Sequence, residues 1–130
     1  MNEDLLLDTF GEILCGLVRS DQGIDDNTTK ALEIELQKYD WGAKVFWSFT
    51  YESKHNRSVK EAYERALDTF AENGASDKYY LFFEIMDKVA QRYAVTDYQK
   101  RMPDKFKVEL MNRLKSSAEG SAQNDDDLED

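Results

Sequence analysis

Residues 76–94 read SDKYYLFFEIMDKVAQRYA, and their periodicity decides the fold. Tyr79, Phe82, Phe83, Met86, Val89, Ala90 and Tyr93 recur at spacings of three and four, the period of a helix face. Leu81 and Ile85 carry apolar surface to the other side, so this helix is expected to be the central one, packed over much of its circumference. Upstream, Ser58-Val59-Lys60-Glu61 is a capping box, followed by an apolar face of Ala62, Tyr63, Ala66, Leu67, Phe70 and Ala71. Glu61 and Arg65 are spaced for an ion pair one turn apart, and Asn73-Gly74 supplies a left-handed stop.

Downstream, Thr96-Asp97-Tyr98-Gln99 reads as a second capping box. Pro103 would clash with the carbonyl of Gln99. A short turn over 97–101 and a separate helix over 103–115, facing inward through Phe106, Leu110 and Leu114, are therefore expected. From Ser116 the chain is small, polar and acidic, and residues 116–130 are expected to be a disordered tail.

Toward the N-terminus, Leu6, Phe10, Ile13 and Leu17 predict a helix over 4–20, widened by Leu7, Leu14 and Val18. Gly11 and Gly16 weaken it, which points to close approach of a neighbouring helix. A turn at 20–23 leads to a helix over 27–39, capped by Asp25 or Asn27, with Leu32, Leu36 and Tyr39 inward. Residues 43–53 are ambiguous, because Val45, Trp47, Phe49 and Tyr51 alternate as in a strand while Ala43, Phe46, Phe49 and Thr50 fit a helix face. Helix is the better reading, since no second run offers a strand partner and a lone strand is unstable. The expected fold is all-α: a bundle of six to seven helices forming one domain over 1–115.

Composition agrees. The chain has 130 residues, one Pro and six Gly, enough for one domain with few breaks. Its net charge is −10, concentrated in Glu119, Asp125, Asp126, Asp127, Glu129 and Asp130; taking those six from the 27 acids leaves 21 against 17 bases. That balance disfavours direct nucleic-acid binding and anionic membranes. One cysteine, Cys15, permits no internal disulfide. The acidic start, MNEDLLLDTF, lacks the bases of a signal peptide, and no stretch is apolar enough to span a bilayer, so a cytoplasmic protein is expected.

Two segments echo each other. Glu12-Ile13-Leu14 leads through a helix end to Gly23-Ile24-Asp25, and Glu84-Ile85-Met86 leads through a helix end to Ala94-Val95-Thr96. In each, one aliphatic residue is placed to plug the turn before a cap, which is compatible with an internal duplication or with any two helix–turn–helix units. The residues Leu17-Val18-Arg19-Ser20-Asp21-Gln22-Gly23-Ile24-Asp25, with Val89-Ala90-Gln91-Arg92-Tyr93-Ala94-Val95-Thr96, resemble the tellurite-resistance TerB family over about residues 4–115. The resemblance implies a compact all-helical module of the kind associated with divalent metal and with stress or phage-defence systems. The sequence departs from the family where Gln22 separates Asp21 from Gly23, where Thr28 and Gln99 stand in place of glutamate, and where Arg92 stands in place of an acid. Asp21 and Asp25 remain as oxygen ligands for a weak Mg²⁺ or Ca²⁺ site, with turn-and-cap roles as the alternative.

No catalytic constellation stands out. A calcium loop begun at Asp21 would place Gly23 at position 3, Asp26 at position 6 and Leu32 at position 12, where an EF-hand needs an acid, a glycine and a glutamate. His55 and Cys15 are single, too few for zinc, and no phosphate loop or nucleophile elbow occurs. The aromatic run Trp41, Phe46, Trp47, Phe49 and Tyr51 is either a lid on the core or a recognition surface; Trp41, Trp47, Phe49 and Tyr51 are the partner-binding residues on the second reading. Two functions fit: a non-catalytic helical adaptor or regulator that binds a protein partner, or an acidic inhibitor that imitates nucleic acid in a partner's basic groove.

Overall fold

The computed structural model describes residues 3–126 apart from residue 56, with side chains described to residue 116. The described residues form six helices: α1 (Glu3–Val18), α2 (Asp26–Leu36), α3 (Gly42–Ser53), α4 (Val59–Asn73), α5 (Lys78–Tyr93) and α6 (Asp97–Asp126). Among them there is no strand, only an isolated bridge between Ser20 and Gly23 that closes the α1–α2 turn. The architecture is an all-α bundle.

The central helix is α1 rather than α5. Every residue from Thr9 to Val18 is buried, and α3, α4, α5 and α6 all pack on it. Between Leu5 and Val18 only Asp8, Thr9 and Glu12 are polar, and a helix apolar all round is driven inside. The far side of α5 carries Glu84, Asp87, Lys88, Gln91 and Arg92 in solvent, so its wide stripe covers one side only. Phe10 stacks on Phe82 at 4.1 Å, and Phe70 meets Tyr79 at 5.0 Å and Phe106 at 5.4 Å, joining α1, α4, α5 and α6 in one aromatic core. Burying each such ring contributes about 1.5–3 kcal/mol.

Residues 43–53 are helical. Gly42, Val45, Ser48, Phe49 and Glu52 are buried, a spacing of three and four that no strand gives. Close approach explains two glycines. A Cβ on Gly11 would stand 2.6 Å from the Val45 carbonyl oxygen, and one on Gly42 would stand 1.7 Å from that of Leu36. Both capping boxes form: Ser58 Oγ accepts from Glu61 N while Glu61 accepts from Ser58 N, and Thr96 Oγ1 accepts from Gln99 N while Gln99 Oε1 accepts from Thr96 N. Gly74 ends α4 with φ at +86°.

Four further expectations change. α6 is one helix through Pro103, with no break after the cap. The proline removes one hydrogen bond to Gln99, but Pro103, like Met102 and Phe106 on the same helix, is buried, and burial of its ring offsets part of that cost. The backbone stays helical to Asp126, into the segment expected to be a tail; residues 127–130 lie outside the described residues. Arg65 pairs not with Glu61 but with Glu12 of α1, donating from Nε at 2.9 Å and Nη2 at 3.2 Å, because Glu12 is buried and has more to gain. Val95 does not plug its turn: it is 57% exposed, while Ile24 packs against the core.

Candidate functional site

On α3 the buried positions leave Trp47 and Tyr51 facing out, one turn apart. Trp47 is 63% exposed and Tyr51 52%. Their rings stack at 5.4 Å and 16°, and Tyr51 stacks on His55 at 4.3 Å and 24°. The result is a three-ring ladder at 47, 51 and 55. His55 Nδ1 lies 2.8 Å from the Tyr51 carbonyl oxygen; a carbonyl only accepts, so Nδ1 carries the proton and the ring is held in place. Lys54 is exposed beside it.

A polar clasp supports the ladder from below. Arg19 donates to the carbonyls of His55 and Glu52, each at 2.5 Å, and so satisfies the end of α3. Glu52 is buried and accepts from Arg57 Nε at 2.9 Å. Arg19 also donates to Cys15 Sγ at 3.3 Å. Gln99 is buried behind it: its Nε2 donates to the carbonyls of Gly16 and Arg19 at 2.9 and 2.7 Å, and its Oε1 accepts from Val95 N, Thr96 N and Thr96 Oγ1. Arg19, Asp21, Arg57, Tyr98 and Gln99 line a cleft of about 620 Å³ that adjoins the ladder through Arg19.

The expected partner-binding residues divide. Trp47 and Tyr51 form the exposed ladder. Phe49 is fully buried in the core and cannot touch a partner. Trp41 is half-buried, stacked on Tyr39 at 4.7 Å and edge-on to Phe82 at 5.3 Å, so it acts as the lid of the core. Sequence reading missed His55, whose signal was its position one turn beyond Tyr51. It also missed the clasp, which joins residues more than thirty apart and has no local signature.

The two aspartates take turn and cap positions. Asp25 is the N-cap of α2, accepting from Thr28 N at 2.8 Å, a bond that holds its carboxyl below the ordinary range. Asp21 is exposed in the Ser20–Gly23 turn, and no group of three or more ligating side chains gathers among the described residues. Burial pushes the Cys15 thiol up, and the Arg19 guanidinium that donates to its sulfur offsets part of this. The chain matches no protein-family model, no curated protein and no solved structure. No helix among the described residues is long and apolar enough to cross a membrane.

Proposed function

We propose that this chain is a non-catalytic protein-interaction module and that Trp47, Tyr51 and His55 are its contact surface. The observation that carries this reading is a stacked ladder of exposed rings on a helix whose other face is locked into the core. Aromatic side chains offer large contact area at little entropic cost, and tryptophan and tyrosine dominate interface energies. The clasp of Arg19, Glu52 and Gln99 supports the reading, since it fixes the ladder before any partner arrives. The TerB likeness of residues 17–25 and 89–96 belongs to the same proposal, as a likeness of a compact helical module. The test is capture of partners by the wild-type chain and by the Trp47→Ala/Tyr51→Ala variant, from extracts of the cells that make it. Both side chains project out of the core, so an unchanged melt with loss of a specific partner is expected. A partner held equally by both forms, or substrate turnover by the chain, counts against the proposal.

A second reading, imitation of nucleic acid in a partner's basic groove, draws on one place. Asp77, Glu84, Asp87 and Asp104 line a cleft of about 570 Å³ between α5 and α6, with Lys107 as its only base. Competition with duplex DNA for the captured partner, lost in an Asp87→Asn/Asp104→Asn variant, separates this reading from the first.

A further inference from the structure

Charge along α6 is divided. In its first half Lys100, Arg101, Lys105 and Lys107 face solvent with the exposed Val108 among them, against Asp97, Asp104 and the half-buried Glu109. None of these four bases joins an ion pair among the described residues, whereas Arg113 further along is bound to Asp68. Lys105 lies over the rings of Tyr63 and Tyr98, a contact that leaves its charge uncompensated, whereas Lys107, over that of Phe83, also lines the cleft of Asp77, Glu84, Asp87 and Asp104. Residues 119–130 hold six acids and no base.

The helix holds these two halves apart. From Lys105 to Asp125 is about 30 Å along the axis at 1.5 Å per residue, several screening lengths at physiological salt. Within the described helix Asp125 and Asp126 are therefore too far along the axis to neutralise Lys100, Arg101 and Lys105 of their own chain. The acidic half of a second copy running antiparallel can neutralise them, and the pairing is self-complementary: one two-fold arrangement sets each basic half against the other chain's acidic half.

We propose that residues 119–130 of one copy dock along the Lys100–Lys107 face of α6 in a second copy, and reciprocally. The contact is electrostatic, and it works against the mutual repulsion of two chains of net charge −10. Attraction across the docked face weakens with salt, while repulsion between the bodies is relieved by it. The sign of the salt dependence therefore decides between them.

The experiment is sedimentation velocity of the full chain at high micromolar concentration. Dimers are expected in about 20 mM sodium chloride and monomers in about 500 mM, with the dissociation constant rising about tenfold or more. A K100Q/R101Q/K105Q variant and an E119Q/D125N/D126N/D127N/E129Q/D130N variant should each be monomeric at low salt, with helical content and melt unchanged. Mixed in equal amounts they keep one of the two docked zones, and weaker heterodimers should appear. A wild-type chain that is monomeric at low salt, or one that associates more as salt rises, overturns the proposal. So does a dimer indifferent to both variants. A labelled DNA duplex is the remaining arm: if it binds Lys100, Arg101 and Lys105 while the chain stays monomeric, the face serves phosphates and the proposal fails.

Discussion

Asp8 is half-buried on α1, one turn from Asp4 on one side and from Glu12 on the other. Burial first, then the charges of Glu12 and Asp4, push its carboxyl above the ordinary range, and Lys44 and Arg65 offset only part of this. An acid raised in the folded state holds its proton more tightly folded than unfolded. The stability it contributes is present below the unfolded value and is lost as pH rises through the folded one. Ionised Asp8 thus costs stability at neutral pH, and Asp8→Asn removes the cost. Urea unfolding should show the variant more stable by roughly a few tenths of a kcal/mol near neutral pH, with the gap closing toward about pH 3. A gap independent of pH would mean that packing, not charge, sets the difference. Asp25 has the opposite sign: the Thr28 N–H lowers its carboxyl, so its contribution is present above the unfolded value and is lost as pH falls. The Asp25 sign follows from its capping position, which the sequence offered, whereas that of Asp8 was not legible because it depends first on burial.

At the scale of elements, helix propensity and helix packing disagree at Gly11, and magnitudes decide. Alanine there would favour α1 by about 1 kcal/mol in propensity. Its Cβ would also stand 2.7 Å from Ser48 Cβ, nearer than real carbon contacts, besides meeting the Val45 carbonyl, so α3 would have to move away. Overpacking of this kind costs about 1–3 kcal/mol. Gly11→Ala is therefore expected to lower stability by up to roughly 2 kcal/mol in urea unfolding, with helical content unchanged by circular dichroism. A stabilised variant would show that the two helices have slack between them. The sequence carried most of this level. Both capping boxes and the Gly74 stop were readable, because each depends on residues within one turn, and the helical nature of 43–53 was reached because no other run offered a strand partner. The α6 break was misread because a proline's local cost was weighed without the buried apolar site that offsets it. The centre of the bundle was misplaced because Leu81 and Ile85 made α5 look two-sided, while the buried acid of α1, Glu12, is compensated by Arg65 from α4, a pairing no local pattern reveals.

For the whole molecule, the candidate site was legible in part: Trp47 and Tyr51 stood in an aromatic run, but nothing local separated them from the buried Phe49. What fixes them in place is long-range. Gln99 spans 83 residues to reach Gly16 and joins the start of α6 to the end of α1, whose Arg19 in turn holds the end of α3. Five hydrogen bonds depend on this one amide. Removing it leaves the Gly16 and Arg19 carbonyls without their donor, and each buried orphan costs about 1–3 kcal/mol, less wherever water can enter. Gln99→Ala is therefore expected to cost about 2–4 kcal/mol, a large share of the roughly 5–15 kcal/mol that holds a domain folded. Thr96→Ala is the control: it removes the cap hydroxyl but keeps the amide, and should cost only about 1 kcal/mol. Differential scanning calorimetry of the two variants checks the comparison. If Gln99→Ala melts no lower than Thr96→Ala, the amide serves α6 alone, and the coupling from α6 through α1 to the exposed ladder on α3 does not exist.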